Sequence, residues 1–529
     1  MKAKPFWWLP LVWNCVVGPL VLSQFTAQGQ SPIIPPDVIG NIRSRVTNAI
    51  TPGIVVGMIN ATGTTYFSYG VGTLDNGQTV NEDSVFEIGS ITKTFTCTVL
   101  SQLLLDGSMV LTNPVKNYLP ASVAVPSRSG KVITLQHLAT HRSGLPRMPT
   151  NWNPADMLNP YVDYTVQQMY DFLSSYQLPR DPDASFEYSN FGMGLVGYVL
   201  SLNTGSDYEA LIADRVTHRL GLNDTGIKLT ARMASNLARG YTGVIQVPNW
   251  NFGAAFAGAG VIRSTARDLL QYIAANMGLV QTDLYPAMTN AQAPLAPAFT
   301  GSSIGLAWFT TPVQGDQLIW HDGGTGGYRS YAGFLRNKKQ GVVVLANSDF
   351  EVDDIGAHLL DSSQPLLSIP QPAAVDLDTL HSCVGRYRGG DGNYFDIGLE
   401  HGHLTAAYST DQGISFTLYP SSSWSFFATM VDGSATFQTN SQGVANRLIW
   451  TQSGQSVPCN RIPLPAHLAI QRRNGETQVS FTGDTGVAYV LEAGTDLTHW
   501  TPIATNTIWA APFVDKEPGT SRFYRLRRL

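Results

Sequence analysis

Ser90, Ile91, Thr92 and Lys93 form the only S-x-x-K in the chain, within the run Phe86 to Thr96 (F-E-I-G-S-I-T-K-T-F-T). Ile91, Phe95, Val99 and Leu103 recur at every fourth position after the serine, and Gly107 follows as a stop, so the spacing predicts a helix. A hydroxyl in its first turn and an ammonium three residues on share one face. That is the outline of an activated serine: Lys93 is close enough to hold or remove the Ser90 proton, and a helix N-terminus favours negative charge on the attacking group. The plainer alternative is a cap followed by a surface lysine, so the tetrapeptide needs company.

Two further groupings supply it. Tyr188-Ser189-Asn190 precedes Phe191 to Leu202, where Leu195, Val199 and Leu202 give helical spacing. Gly192, Gly194 and Gly197 weaken that helix in isolation, yet they let another backbone approach closely. A tyrosine at such a position is a proton shuttle if nearby cations lower its pKa, or a loop residue bonded locally if they do not. The third grouping is Leu318 to Gly327 (L-I-W-H-D-G-G-T-G-G), a strand running into a glycine turn. Its glycines would let a substrate lie against the strand edge, where backbone N–H groups can hold an oxyanion.

The elements around these groupings are mixed. Residues 36 to 50 read as a helix, and Gly53 to Ile59 and Thr64 to Tyr69 as a hairpin joined through Asn60-Ala61-Thr62-Gly63. Ser330 to Leu335 and Gly341 to Ala346 flank the polar turn Asn337-Lys338-Lys339-Gln340. Hairpins mean antiparallel pairing, so residues 30–361 are expected to be α+β. A Ser-, Pro- and Gln-rich linker covers 362–375. Short alternating runs in 376–462 (Tyr394 to Ile397, Leu404 to Tyr408, Ile414 to Leu418, Trp424 to Ala428) predict a small β-barrel or sandwich. Pro463-Leu464-Pro465 opens a last β module, 463–529, with strands near Gln478 to Phe481, Ala488 to Glu492 and Phe523 to Leu526, and Arg525, Arg527 and Arg528 at a solvated strand end.

At 529 residues the chain is too long for one ordinary core. Its 33 Lys and Arg against 38 Asp and Glu give a net charge of −5 and no basic stripe suited to nucleic acid. Lys2 and Lys4, an apolar run from Pro5 to Leu22, then Ala27-Gln28-Gly29 have the order of a secretory signal over residues 1–29, which predicts export, periplasmic or secreted, without a retained membrane span. Cys15 would leave with that signal. Cys97 reads as a packed thiol; Cys383 and Cys459 could bridge in an oxidising compartment or stay reduced.

Taken in order, the three groupings resemble the serine β-lactamase and penicillin-binding protein superfamily, and within it the class C β-lactamase family with its peptidase and esterase relatives. Ile133 to Pro146 (I-T-L-Q-H-L-A-T-H-R-S-G-L-P), Ala257 to Asp268 (A-G-A-G-V-I-R-S-T-A-R-D) and Gly341 to Asn347 also resemble that family's segments, so the likeness spans roughly residues 36 to 350. It implies a β-lactamase/transpeptidase-like domain that forms an acyl-enzyme on Ser90. Lys93 would help deprotonate the serine, Tyr188 would serve as base and then as acid for the leaving group, and Asn190 would orient substrate and Lys93. His321 would stand where the family has a lysine. Backbone N–H groups of Ser90 and Gly324 would hold the oxyanion, with Gly323, Thr325 and Asn347 on the substrate. The implied substrate is a small-molecule or peptide amide (a β-lactam or a D-alanyl peptide) or a small acyl ester, with neither metal nor other cofactor. A penicillin-binding receptor-like module that does not turn over is the rival from another class. The last module is left with a surface or glycan contact as an open role.

Three departures matter. Thr92 stands where the family has Ser or Ala. His321-Asp322-Gly323 replaces Lys-Thr-Gly, so an imidazole titrating near 6.5 replaces a permanent cation. Asp322 brings an anion to the place where a β-lactam carboxylate would lie, unless strand alternation turns it away from His321's side. Two other motifs are set aside. Gly301-Ser302-Ser303-Ile304-Gly305 fits G-x-S-x-G but lacks the strand before it and the helix after it that a nucleophile elbow requires. His137 and His141 have metal-like spacing but no accompanying glutamate, so a structural role is expected.

Overall fold

The computed structural model describes residues 30–528 apart from 314, 370, 391, 410–414, 430–432, 442, 453, 463–466, 474–475, 483–488, 497, 507–512 and 516–521. The signal segment 1–29 with Cys15, and the Pro463-Leu464-Pro465 break, lie outside the described residues. An eight-stranded antiparallel sheet organises the described residues from 30 to 361. Its strands are β1 (Gly53–Asn60), β2 (Gly63–Gly70), β3 (Ala296–Pro297), β4 (Ser303–Ile304), β5 (Phe309–Val313), β6 (Asp316–Gly324), β7 (Arg329–Leu335) and β8 (Gln340–Ala346), in the order β2-β1-β8-β7-β6-β5-β4-β3. Val342, Val343, Val344, Leu345 and Ala346 of β8 are all buried, as expected for a strand covered on both faces.

The helices that matter here are α1 (Pro36–Thr47), α2 (Thr92–Leu105), α3 (Asn190–Thr204), α4 (Ala257–Gly260), α5 (Ala266–Met277) and α6 (Asp353–Leu360). Apolar residues of α1 and α6 (Val38, Ile42, Ile355, Leu359) join one core cluster with Ile54, Val56, Val342 and Val344. Those of α2, α3 and α5 join a larger cluster with Val55, Val343 and Leu345. Alternating residues of β1 and β8 thus feed opposite cores, the period of two made visible. The fold is the α+β arrangement expected, with helices on both faces. α2 is almost wholly buried: eleven of its residues, including Thr92, Thr94, Thr96 and Thr98, lack solvent contact. The hydroxyls are satisfied internally; Thr94, Thr96 and Thr98 bond to carbonyls a turn back, and Thr92 accepts the Ile262 N–H at 3.1 Å.

The glycines of α3 act as the sequence suggested. A Cβ on Gly194 would lie 2.3 Å from the Ala255 carbonyl, and one on Gly197 would lie 2.7 Å from the Gly258 Cα. α3 and α4 therefore meet backbone to backbone, with Ser189 capping α3 by accepting the Gly192 N–H at 2.9 Å.

Beyond Leu360 the chain is mostly β. Eight strands from Gly385–Gly389 to Gln455–Ile462 close into a barrel in sequential order. A helix, Leu377–Cys383, precedes it where only strands were expected; Asp376 caps it by accepting the Thr379 N–H. Cys383 and Cys459 are both buried thiols and do not bridge, which corrects the pairing considered above. The last residues form two three-stranded sheets centred on Glu476–Thr482 and Tyr489–Gly494. There Arg525 and Arg527 are not simply solvated: both engage Glu492, at 2.7 and 3.0 Å.

The barrel braces the domain that precedes it. The Thr417 hydroxyl accepts the Val244 N–H at 3.1 Å and donates to the Thr242 carbonyl at 3.3 Å. Thr242 belongs to a hairpin (Gly240–Thr242 with Ile245–Val247) whose Tyr241 N–H reaches the Gly327 carbonyl at 3.3 Å. That carbonyl lies in the glycine turn that follows β6.

Candidate active site

Ser90 sits in a single 3₁₀ turn, Gly89–Ile91, that feeds α2. Gly89 has φ +47°, and a Cβ on it would lie 2.6 Å from the Gly324 nitrogen. A Cβ on Gly323 would lie 2.1 Å from the Ile88 carbonyl, to which Ser330 donates at 2.9 Å. Side chains are absent from both sides of this junction because the nucleophile turn and the end of β6 pack backbone against backbone. The Gly324 backbone nitrogen is thereby brought against the residue that precedes Ser90.

Lys93 lies one turn along α2, fully buried, with Nζ 2.7 Å from Ser90 Oγ and 2.6 Å from the Ala259 carbonyl of α4. Burial first, and the Arg147 charge second, push its pKa well below the ordinary lysine value, while Asp322 pulls the other way. Burial thus shifts the balance from the ammonium towards the amine; an amine at this place could donate to Ala259 and accept from the Ser90 hydroxyl. Cys97, one turn further, is held as a thiol by burial, which raises its pKa.

Tyr188 lies across from them. Lys93 Nζ is 4.9 Å from its ring centroid, and the Arg147 guanidinium stands 5.2 Å from the same centroid. Burial, then Asp322, raise the phenol pKa; the Ser90 hydroxyl and Arg147 lower it without overcoming burial. Tyr188 is a protonated phenol at neutral pH. The His141 ring packs 4.3 Å from it, and His141 Nδ1 accepts the Ser189 N–H at 3.1 Å. His137 completes a capping box with Thr134, so both histidines of the metal-like pair are structural. Among the described residues no group of three or more His, Cys, Asp or Glu could hold a metal ion.

The remaining sequence candidates divide. Asn190 Nδ2 donates to the Tyr161 hydroxyl at 3.2 Å, and its buried Oδ1 finds no hydrogen-bond partner among the described residues; Lys93 is bonded to Ser90 and Ala259 instead. His321 is fully buried behind the cleft, 6.3 Å from the Tyr188 ring, with Nδ1–H donating to the Asp322 carbonyl at 2.6 Å. Burial holds its pKa down at about 4, so it adds no positive field at neutral pH. Asp322 points the other way and lines the cleft, with its side chain 43% exposed. Gly324 and Thr325 line the cleft too. Asn347 does not: it is fully buried, and its Nδ2 is spent on the carbonyls of Val71, Gly72 and Arg239 at 3.0 to 3.3 Å. Its expected contact with substrate is corrected to a structural one. Ser303 lies in β4 beside Pro297 and Thr310, with no elbow around it.

The cleft holds about 500 Å³ and exposes residues that sequence reasoning missed: Arg147, Tyr161, Phe186, Trp250, Phe299, Phe309, Trp320, Arg329 and Glu351. Only Arg147 carried a usable signal, directly after the family-like run that ends at Pro146. Arg263 anchors the Trp250 side, bonding the Trp250 carbonyl at 2.9 Å and the buried Glu87 carboxylate at 3.2 Å.

An antiparallel sheet clad in helices, a serine–lysine pair at the start of a buried helix, a phenol opposite and two apposed glycine turns are the parts that serine acyl transfer requires. The beta-lactamase family model matches residues 38–363, and the chain belongs to that family. It is a serine hydrolase. It is 28% identical over 356 residues to a beta-lactamase of Pseudomonas fluorescens, covering 59% of this chain and 94% of that protein. It is also 28% identical over 342 residues to the D-alanyl-D-alanine-carboxypeptidase/endopeptidase AmpH of Escherichia coli strain K12, covering 61% and 88%. Among solved structures, a beta-lactamase/D-alanine carboxypeptidase from Pseudomonas syringae superimposes with a TM-score of 0.55 at 24% identity, covering 62% of this chain and 98% of that one.

Proposed function

We propose that the protein is an exported hydrolase that cleaves an amide or ester through an acyl-enzyme on Ser90. The observation that carries this is the 2.7 Å contact between Ser90 Oγ and a fully buried Lys93 whose pKa burial holds well below the ordinary lysine value. As the Ser90 oxygen bonds to the substrate carbonyl carbon, its proton passes to Lys93, and the developing oxyanion is held by the N–H groups of Ser90 and Gly324. The bond to the leaving group then breaks, and the Tyr188 phenol supplies the proton that group needs. Lys93 returns its proton to the phenolate, so the pair is reset. Water repeats the attack on the acyl carbon and releases the acid. Two groups whose environments drive their pKa values in opposite directions, a lysine down and a tyrosine up, receive the base and acid roles.

Asp322 lines the cleft and Asn347 is turned away, while the Glu351 charge is met by Arg329 at 3.2 Å; Asp322 supports a preference for substrates without a carboxylate beside the scissile bond. The names of the relatives, together with the exposed Arg147 cation over the phenol, support a second reading, cleavage of a β-lactam or D-alanyl peptide. Turnover of a chromogenic cephalosporin against that of a nitrophenyl ester separates the two. Ser90→Ala should abolish both activities and Ser303→Ala should leave them nearly intact; the reverse result would move the nucleophile.

A further inference from the structure

Four aromatic rings line one end of the cleft: Phe186, Phe299, Phe309 and Trp320. They come from separate places in the fold, namely the loop before Tyr188, the turn between β3 and β4, β5, and β6. Their rings touch one another: Phe299 lies 5.1 Å from Phe309, 6.0 Å from Trp320 and 6.3 Å from Phe186, and Phe309 lies 5.2 Å from Trp320. Phe309 and Trp320 are directly opposed across the β5–β6 ladder, and the Trp320 indole is pinned from behind by Tyr331, stacked at 5.9 Å, and by its N–H bond to Thr311 at 3.1 Å. Phe299 stays 44% exposed at the mouth. A wall held by ring-to-ring contacts is rigid, and it offers a ligand flat faces and edges rather than a pliable aliphatic surface.

The wall adjoins the phenol. Phe186 and Phe309 reach Tyr188 through two neutral imidazoles: His141 lies 5.9 Å from Phe186 and 4.3 Å from Tyr188, and His321 lies 5.2 Å from Phe309 and 6.3 Å from Tyr188. Tyr188 is the group that protonates the departing half of the substrate, so the wall flanks that half. On the basis of the acyl-enzyme reading above, we propose that the aromatic wall formed by Phe186, Phe299, Phe309 and Trp320 is the subsite for the leaving group, and that it selects amides and esters whose amine or alcohol carries an aryl ring.

The test uses leaving groups of matched size. For the full-length enzyme, kcat/KM, which reports the acylation step, is measured for benzyl acetate against cyclohexylmethyl acetate, and for ethyl phenylacetate against ethyl cyclohexylacetate. A benzyl preference of about tenfold is expected in the first pair and little preference in the second, and Phe299→Leu should bring the first ratio to near unity. Equal rates in the first pair, a preference confined to the acyl pair, or a ratio unmoved by Phe299→Leu overturns the subsite. Binding of N-benzylacetamide against N-cyclohexylmethylacetamide to the Ser90→Ala protein reads the wall without chemistry. Benzyl selectivity there in an enzyme inert to all four esters would sink the Ser90 mechanism and keep the wall; equal affinities would sink the wall alone.

Discussion

Replacing Lys93 with Met should stabilise the protein at neutral pH while destroying its activity, and the size of the effect follows from burial. An unfolded chain carries this lysine protonated, with a pKa of about 10.4. In the folded protein, burial drives the pKa well below that, and the base role proposed for Lys93 requires that folding strip the proton. At about 1.4 kcal/mol per pH unit, deprotonation at pH 7 costs roughly 4–5 kcal/mol. Against this, Met forfeits the bonds to Ser90 and Ala259 and leaves a buried carbonyl unpaired, a loss of about 2–3 kcal/mol, while it fills nearly the same volume. The net gain for Lys93→Met is about 2 kcal/mol at pH 7. The unfolded state binds the extra proton between the folded and unfolded pKa values, so wild-type stability rises with pH across that window. By pH 9.5 the deprotonation cost has shrunk to about 1 kcal/mol, and the variant becomes the less stable of the two. Urea unfolding of both proteins at the two pH values reads the crossover. A variant that is less stable at pH 7 by an amount that does not change with pH would show that Lys93 is charged in the fold, and the base assignment would fall with it.

Other consequences are as direct. Asn347→Ala should cost about 2–3 kcal/mol by taking this donor from the buried Val71 and Arg239 carbonyls, while the Gly72 carbonyl keeps the Arg239 N–H at 2.7 Å, with KM unchanged in the fraction that folds; a raised KM at full stability would return this residue to the substrate. Gly197→Ala forces a methyl against the Gly258 backbone, so thermal stability should drop by the equivalent of about 1–3 kcal/mol, and kcat with it, because α4 carries the carbonyl that holds Lys93. His321→Lys places an amine beside Tyr188 and Lys93 where a neutral imidazole now stands. While that amine holds its proton it makes the Lys93 proton easier to lose, so the acid limb of the kcat/KM profile should move to lower pH; an unmoved profile means that burial strips the new lysine of its charge as well or that position 321 lies outside the electrostatics of the reaction.

The local order of the chain was enough to point to the Ser90 turn and its helix, the helix after Tyr188-Ser189-Asn190 with its glycine face, the β6 glycine turn and the all-β character of 376–462, whose closure as a barrel rather than a sandwich the structure decided. Each is written in a period, a cap or a glycine that short-range sterics read without help. The α+β class was equally legible, because polar turns between apolar runs demand hairpins. What only the tertiary structure decided is which of two faces a residue takes and how wet that place is. Asn347 looks like a ligand for substrate until three carbonyls from separate segments close around it, and Asp322 reaches the cleft while His321 is sealed behind the strand. The charge states of Lys93, Tyr188 and His321 follow from burial, a property of the whole packed domain. The aromatic wall was not legible as a unit: Trp320 lay in a quoted run, but the four rings are scattered over 135 positions, from Phe186 to Trp320, and meet only when the edge strands of the sheet are laid against the loop that leads to the phenol.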